Sequence, residues 1–423
     1  MNKHTMRPLV AVGLTLGVVA VTAATTGTAT AAATVDRVSV GAAGAQADNV
    51  SGGGIPSADG RYVGFTSNAT TLSPQDENLV ADGYVRDRVL GTTELVTVGT
   101  GGKASGGLVN DVSADGRYVV FTSSANDLVA NDFNGMSDVF IRDRVAGTTE
   151  IVSVASDESA AQQRSLDASV SKDGRFVAFT SFAALADEDS SSSNQDVYVR
   201  DRTAGTTQLV TITRKGGEGG GKDPSISDNG QFVSFTAKSK DYVKGDKNKA
   251  HDVFVRDLTK KKTERVSVSS KGEEAAKRSF ESQIAGFGRY VVFTSAAKNL
   301  AKGDTDKKVD VFVHDRRKDK TELVSVDSAE RQAKGPVVTP SISADGRYVT
   351  FHAGEDLRAG GKVTDSLYLR DRNAGTTKPL NNRIATGGSV ISGNGAVVVF
   401  DAIRGTVVPD DTNNLRDVFA YTR

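Results

Sequence analysis

Five times along the chain, oxygen-bearing side chains recur in the pattern Asp-x-Asn/Asp-x-x-x-Asp. The sets are Asp76, Asn78 and Asp82; Asp132, Asn134 and Asp138; Asp246, Asn248 and Asp252; Asp304, Asp306 and Asp310; and Asp411, Asn413 and Asp417. Oxygen ligands at alternate positions of a tight loop suit Ca²⁺, which takes about six to eight oxygens and accepts backbone carbonyls and water. The spacing matches the first half of known calcium loops but lacks their bidentate Glu and central Gly. It therefore predicts weak calcium sites, usable in a calcium-containing exterior. The same residues also suit plain turns in which Asp and Asn cap nearby backbone amides, and both readings stand at this point. A third copy spaces its acids differently, around Asp187, Asp189 and Asp196, and residues 358–365 have lost the pattern.

Other chemistries find less support. Beyond His4, the histidines His251, His314 and His352 occupy unrelated positions, and each reads as a solvated or hydrogen-bonded structural residue. No Gly-x-Ser-x-Gly elbow and no Ser–His–Asp spacing is present. The runs Gly52-Gly53-Gly54 and Gly219-Gly220-Gly221 lack the Lys-Ser/Thr of a phosphate loop and read as crossovers between repeats. Arg-Asp-Arg recurs, as in Arg86-Asp87-Arg88 and Arg200-Asp201-Arg202. A single active site does not recur, so the Asp is expected to cap a tight turn while the arginines pair along a strand. A Lys-rich sector over residues 238–278 could draw an anionic polymer, but interleaved acids make it a solvated face. No catalytic and no cofactor-binding residue is assigned.

What must position these residues is a repeat. Ser113-Ala114-Asp115-Gly116-Arg117-Tyr118 and the apolar run after it return, altered, in seven copies at intervals of about fifty to sixty residues. In the unit spanning residues 108–154, a short strand leads to Asp115-Gly116, read as a two-residue type I′ hairpin. A second strand follows, then a polar loop over residues 124–137. Asp138-Val139-Phe140-Ile141-Arg142-Asp143-Arg144 forms the third strand, Ala146-Gly147-Thr148 a turn, and residues 149–154 the fourth strand. Four antiparallel strands in a repeat of this size make a propeller blade. Phe287 stands where other copies have Asp or Asn and predicts a different turn. Pro379 predicts an outer edge strand.

The 423 residues balance 52 basic against 52 acidic side chains, which gives no global pull toward nucleic acid. Without Cys there are no disulfides, thiolates or zinc–thiolate sites. Residues 1–33 read as a signal peptide: Lys3 and Arg7, an apolar run, then small residues ending Ala31-Ala32-Ala33. The expectation is a secreted, monomeric protein with no membrane span after cleavage. The last repeat stops after its third strand at Arg423. Val35-Asp36-Arg37-Val38-Ser39-Val40 lines up with Thr263-Glu264-Arg265-Val266-Ser267-Val268 and would supply the missing strand, closing a ring over residues 34–423.

The Ser-x-Asp-Gly-Arg-Tyr-Val-x-Phe-Thr-Ser unit, with Asp-Val-Phe-Val-Arg-Asp-Arg before a Gly-Thr-Thr turn, resembles the WD40-like repeat of TolB-like β-propellers of exported bacterial type. The resemblance implies an all-β, seven-bladed propeller whose Asp-Gly hairpins join the innermost strand to the second. Both short turns then fall on one face. The loop before the third strand and the crossover to the next blade share the other, which suits a binding face. The function expected is a non-catalytic scaffold that binds a protein or glycan there. The alternative is a propeller hydrolase or lyase on polysaccharide. Some TolB-like propellers are pectate-fragment lyases with metal-binding histidines, and carboxylates from different blades could also meet in the channel.

Overall fold

A computed structural model describes residues 33–130, 132, 134–189, 194–238, 240–354, 357, 366–380, 385–403 and 407–423. The signal-peptide reading, save Ala33, and the altered loop at 358–365 lie outside them.

The alternating β-branched and aromatic residues of each repeat form strands, and these assemble into seven four-stranded antiparallel sheets. Blade 1 runs Ser51–Pro56, Tyr62–Ser67, Asp82–Asp87 and Thr92–Leu95. Blade 2 runs Leu108–Val112, Tyr118–Ser123, Asp138–Asp143 and Thr148–Ile151. Blades 3 to 6 repeat the scheme from first strands Ser165–Val170, Lys222–Ile226, Ser279–Ala285 and Val337–Ile342. In blade 7, Ala385–Ile391, Val397–Ile403 and Arg416–Thr422 are completed by Thr34–Arg37, in the register Thr34↔Thr422 to Arg37↔Phe419. The ring closes as the repeat alignment predicts. Pro379 sits on the outer strand of blade 6.

Each blade stacks one aromatic pair across its second and third strands, from Phe65–Tyr84 at 5.6 Å to Phe400–Phe419 at 5.9 Å. Such pairs contribute about 0.5–1.5 kcal/mol beyond their burial. The apolar clusters are shared between successive blades, as where Val120 and Val139 meet Val177 and Phe179.

The hairpin turn departs from expectation. The Gly60 amide donates to the Ser57 carbonyl, so Ala58 and Asp59 are the central residues, and Gly60 alone takes positive φ (76°). The turn is therefore not type I′. Asp59 Oδ1 accepts the Ser57 hydroxyl and the Arg61 amide, and Ser57 Oγ accepts the Tyr62 amide. These side-chain bonds favour the earlier turn. Gly116 (φ 73°) is required twice over, since a Cβ there would lie 2.3 Å from Tyr62 of the preceding blade.

The Arg-Asp-Arg run does more than cap a turn. Asp87 Oδ1 caps the Val89 and Leu90 amides, and the carboxylate also holds Arg61 at 2.7 Å. The second arginine reaches back across the seam between blades: Arg144 pairs with Glu94 at 2.7 Å and lies over the Tyr62 ring. Arg88–Asp36, Arg202–Glu150, Arg316–Glu264 and Arg372–Glu322 repeat the clamp. Gly52-Gly53-Gly54 corrects another reading. It belongs to the first strand of blade 1 rather than to a crossover.

Candidate functional site

First strands of neighbouring blades pack side by side, so they line the centre of the ring. All seven break register at a bulge in their first half, for example between Leu166 and Ser169 and between Lys222 and Ser225. Asp167, Asp223, Glu281 and Thr339 occupy the bulge with left-handed φ of 51–53°, and Gly53 does so at 66°. Aspartate tolerates this region. For Glu281 and Thr339 it is strain of about 1–3 kcal/mol, of a kind that collects at functional sites.

Three of these carboxylates meet in a cavity of about 710 Å³ at the channel mouth, on the face of the crossovers and long loops. Asp167, Asp223 and Glu281 line it with Lys222, His251 and Arg278. Lys222 Nζ stands 3.5 Å from Asp223, and Thr180 donates to Asp167 at 3.2 Å. Glu281 accepts the Thr339 amide of the next blade at 3.0 Å. Burial, then the charge of Asp223, raises the Asp167 pKa. Burial, then Lys222 and Lys238, lowers that of His251. Arg278 stacks over Phe280, whose ring also borders the cavity. Acceptors, donors and an aromatic ring around one polar opening suit a hydroxyl-rich ligand. Below the mouth the inner strands are stitched together. Asp111 Oδ2 accepts the Val170 amide, as Ser169 accepts that of Ile226 and Gln283 that of Ile342.

Sequence reasoning treated the three later histidines as unrelated, and the structure separates them. His251 lines the mouth, His314 bonds Thr321 within blade 5, and His352 lies in the second strand of blade 6. The bulge carboxylates carried no motif. Their one sequence signal is their place at the end of each crossover.

The Asp-x-Asn/Asp-x-x-x-Asp residues lie together blade by blade, in the loop before each third strand. In blade 1, Tyr84 donates to Asp76, Asn78 caps Val80, and Asp82 Oδ1 accepts Thr97 and Gly106 while its buried Oδ2 has no partner among the described residues. In blade 2, Asn134 donates to Asp138 at 2.6 Å, and burial raises the pKa of Asp132. In blade 5, the carboxylates of Asp304, Asp306 and Asp310 lie within 4.8 Å of one another, and burial pushes Asp310 up to about 7. In blades 4 and 7 the protein supplies its own cation. Asn248 bonds Asp252, and Arg265 stands 3.6 Å from both Asp246 and Asp252. Asn413 bonds Asp417, and Arg37 stands 3.6 Å from Asp411. The corresponding residues Leu95, Ile151 and Leu323 of blades 1, 2 and 5 are apolar. In blade 5 the neutral Gln332 amide donates to Asp304 at 3.1 Å and to Asp310 at 2.8 Å, so this donor set keeps its charge and fits a hard divalent cation that displaces the amide; those of blades 4 and 7 fit a guanidinium.

No protein-family model matches the sequence, and no curated protein matches it. Solved structures do. An oligogalacturonate lyase in complex with manganese aligns over 92% of this chain and 96% of its own, at 10% identity and a TM-score of 0.57. The β-propeller domain of the trilobed protease from Pyrococcus furiosus, described as having an open velcro topology, aligns over 88% and 95%, at 13% identity and a TM-score of 0.53. TolB from Acinetobacter baumannii aligns over 86% and 81%, at 15% identity and a TM-score of 0.43. Among the described residues, no helix is long and apolar enough to cross a membrane. The likeness at these identities is one of fold: the chain is a seven-bladed β-propeller with TolB proteins among its structural neighbours.

Proposed function

We propose that the protein is an exported, non-catalytic binding scaffold whose ligand, a glycan, docks at the channel mouth. The observation that carries this reading is the polar cavity at the bulges, where Asp167, Asp223 and strained Glu281 stand beside Lys222, Arg278 and Phe280. The residues come from successive blades on a closed ring, which holds them in place before any ligand arrives. Calorimetric titration of the mature protein against a panel of neutral and acidic oligosaccharides tests it. Binding to at least one, lost in the Asp223→Asn/Arg278→Ala variant with the fold retained, is the expected outcome. No binding across the panel refutes the glycan.

His251 among three carboxylates favours a second reading, an enzyme on polysaccharide. This architecture hosts such chemistry in a neighbour named as a lyase. Release of new chain ends from a bound oligosaccharide, abolished by His251→Ala, would replace the scaffold reading with this one.

Calcium belongs to the proposal as a weak structural ion. Asp304, Asp306 and Asp310 of blade 5 would hold it, with backbone and water oxygens completing the shell.

A further inference from the structure

Two blades supply a carboxylate to the inner arginine of their third strand, and blade 4, which has the same arginine, does not. In blade 3, Arg200 of the third strand donates to Glu158 Oε1 at 2.5 Å and to the Ala155 carbonyl. In blade 6, Arg370 does the same with Glu330, at 2.5 Å, and the Asp327 carbonyl. Both glutamates lie in the crossover arriving from the preceding blade, at left-handed φ of 68° and 60°. The corresponding residues of blade 4 are Arg256 and Gly216. The crossover keeps its left-handed turn there (φ 93°) but offers no side chain, and a Cβ on Gly216 would meet nothing within 4 Å. Arg256 is 9% exposed and donates to Thr263 at 3.1 Å, with no carboxylate at ion-pair distance among the described residues.

The missing glutamate leaves a groove of about 650 Å³ on the rim of blade 4, between the crossover and the outer strand. Arg214, Lys244, Lys261 and Lys262 line it beside Arg256, none of them in an ion pair among the described residues. Glu264, the one acid at the lining, is already held by Arg316 at 2.6 Å. Where the crossover into blade 3 carries Asp157, this one carries Lys215, which pairs with Asp241 at 3.4 Å beside the groove. Blades 1, 2 and 5 also have glycine at the turn, Gly44, Gly102 and Gly272; Ala42, Ala43, Thr100 and Gly101 precede it in the first two, and blade 5, with Lys271 before it, has His314 in place of the arginine, so only blade 4 joins a buried arginine to flanking basic residues here.

We propose that this rim groove binds an acidic peptide segment, one of whose carboxylates takes the place on Arg256 that Glu158 and Glu330 take on Arg200 and Arg370. The sisters show the ligand as well as the site: a glutamate side chain carried on polypeptide. The flanking lysines and Arg214 extend the recognition to a run of acids, through contacts that salt screens.

The test is fluorescence anisotropy of a short labelled oligoglutamate with the mature protein at low ionic strength. Gly216→Glu supplies the carboxylate from within, at a backbone conformation two sister glutamates already adopt. It should weaken peptide binding by about tenfold or more, the worth of a charge-assisted hydrogen bond to a buried arginine. Arg256→Met should do the same. If that variant fails to fold, Gly216→Glu alone decides. No binding by the unaltered protein, or equal binding by Gly216→Glu, overturns the proposal. Binding of polygalacturonate but not of oligoglutamate, with the same sensitivity to Gly216→Glu, also overturns it, in favour of an acidic saccharide.

Discussion

Asp111 shows how one residue can serve the ring at a cost. Its carboxylate accepts the Val170 amide across the seam and the Val112 amide beside it, where Ser169 or Gln283 does this work in other blades without charge. The residue keeps some surface, yet its carboxylate is closely enclosed, and that desolvation raises its pKa to about 6. Folding therefore takes up a proton here, so the Asp111 contribution to stability falls as pH rises from about 4 to about 6. The difference from 3.8 corresponds to about 3 kcal/mol at most. Asp87 and Asp143 act in the opposite sense. Their hydrogen bonds from Arg61 and Arg117 hold them at about 2, so their contribution is present above pH 4 and lost as pH falls through 2. Stability followed by chemical denaturation should decline as pH rises from about 4, with Asp196 and Asp310, also raised by burial to about 6 and about 7, contributing in the same sense, and Asp111→Asn should lessen that decline while leaving the acid limb below pH 4. An unchanged slope in the variant would show that Asp111 is not one of the titrating groups. None of this was legible in the sequence, where Asp111 has no motif. The turn was misjudged for a related reason: the pair Asp-Gly suggests positive φ at both residues, whereas the Ser57 hydroxyl and the Asp59 side chain fix the turn one residue earlier.

At the scale of the element, the loop before the third strand exists in two electrical versions. Blades 4 and 7 neutralise it with Arg265 and Arg37, and blade 5 presents three carboxylates instead. The sequence displayed both the acids and the arginines. It could not show that the fourth strand lays its last residue against the loop, because the two are separated by a hairpin in blade 4 and by nearly the whole chain in blade 7. With calcium added after chelation, the melting temperature should rise by mass action, by the equivalent of about 1.4 kcal/mol at ten times the dissociation constant. Asp304→Asn/Asp306→Asn should abolish the rise, and Asp246→Asn should not. No shift at millimolar calcium would leave all five loops as turns. The bulges were legible only as the ends of variable crossovers, since a register break depends on the partner strand.

The molecule as a whole was the most legible scale. Seven copies of one unit fixed the number of blades, and the unfinished last copy pointed to residues 35–40. The structure pairs Thr34–Arg37 with the C-terminal strand and joins Ser39 to Asp417 at 2.6 Å. Removing residues 34–40 uncovers the outer edge of blade 7 and unseats the Arg37 guanidinium from Asp411. The shortened protein should melt at a lower temperature and aggregate through the exposed strand, as read by calorimetry and light scattering. Unchanged melting and solubility would mean that the strand is dispensable. The channel-mouth cavity was the least legible feature, because Asp167, Asp223, His251 and Glu281 become neighbours only when the ring is closed.

Two seams differ from the five clamped ones. Between blades 3 and 4, Gln208 stands where five other fourth strands carry an acid, and Leu258 where the other third strands lead into arginine; between blades 6 and 7, Lys378 takes the place of the acid opposite Arg423. Leu258 packs instead with the cluster that holds Phe176. Added salt screens the arginine–carboxylate clamps of the five clamped seams, each worth about 1 kcal/mol or less, while salting-out anions strengthen an apolar contact. A closed ring has no end from which to fray and must part at whichever junction is weakest. In this ring the rank of the junctions changes with the ionic medium, so the place where it first parts is set by the surroundings as well as by the chain.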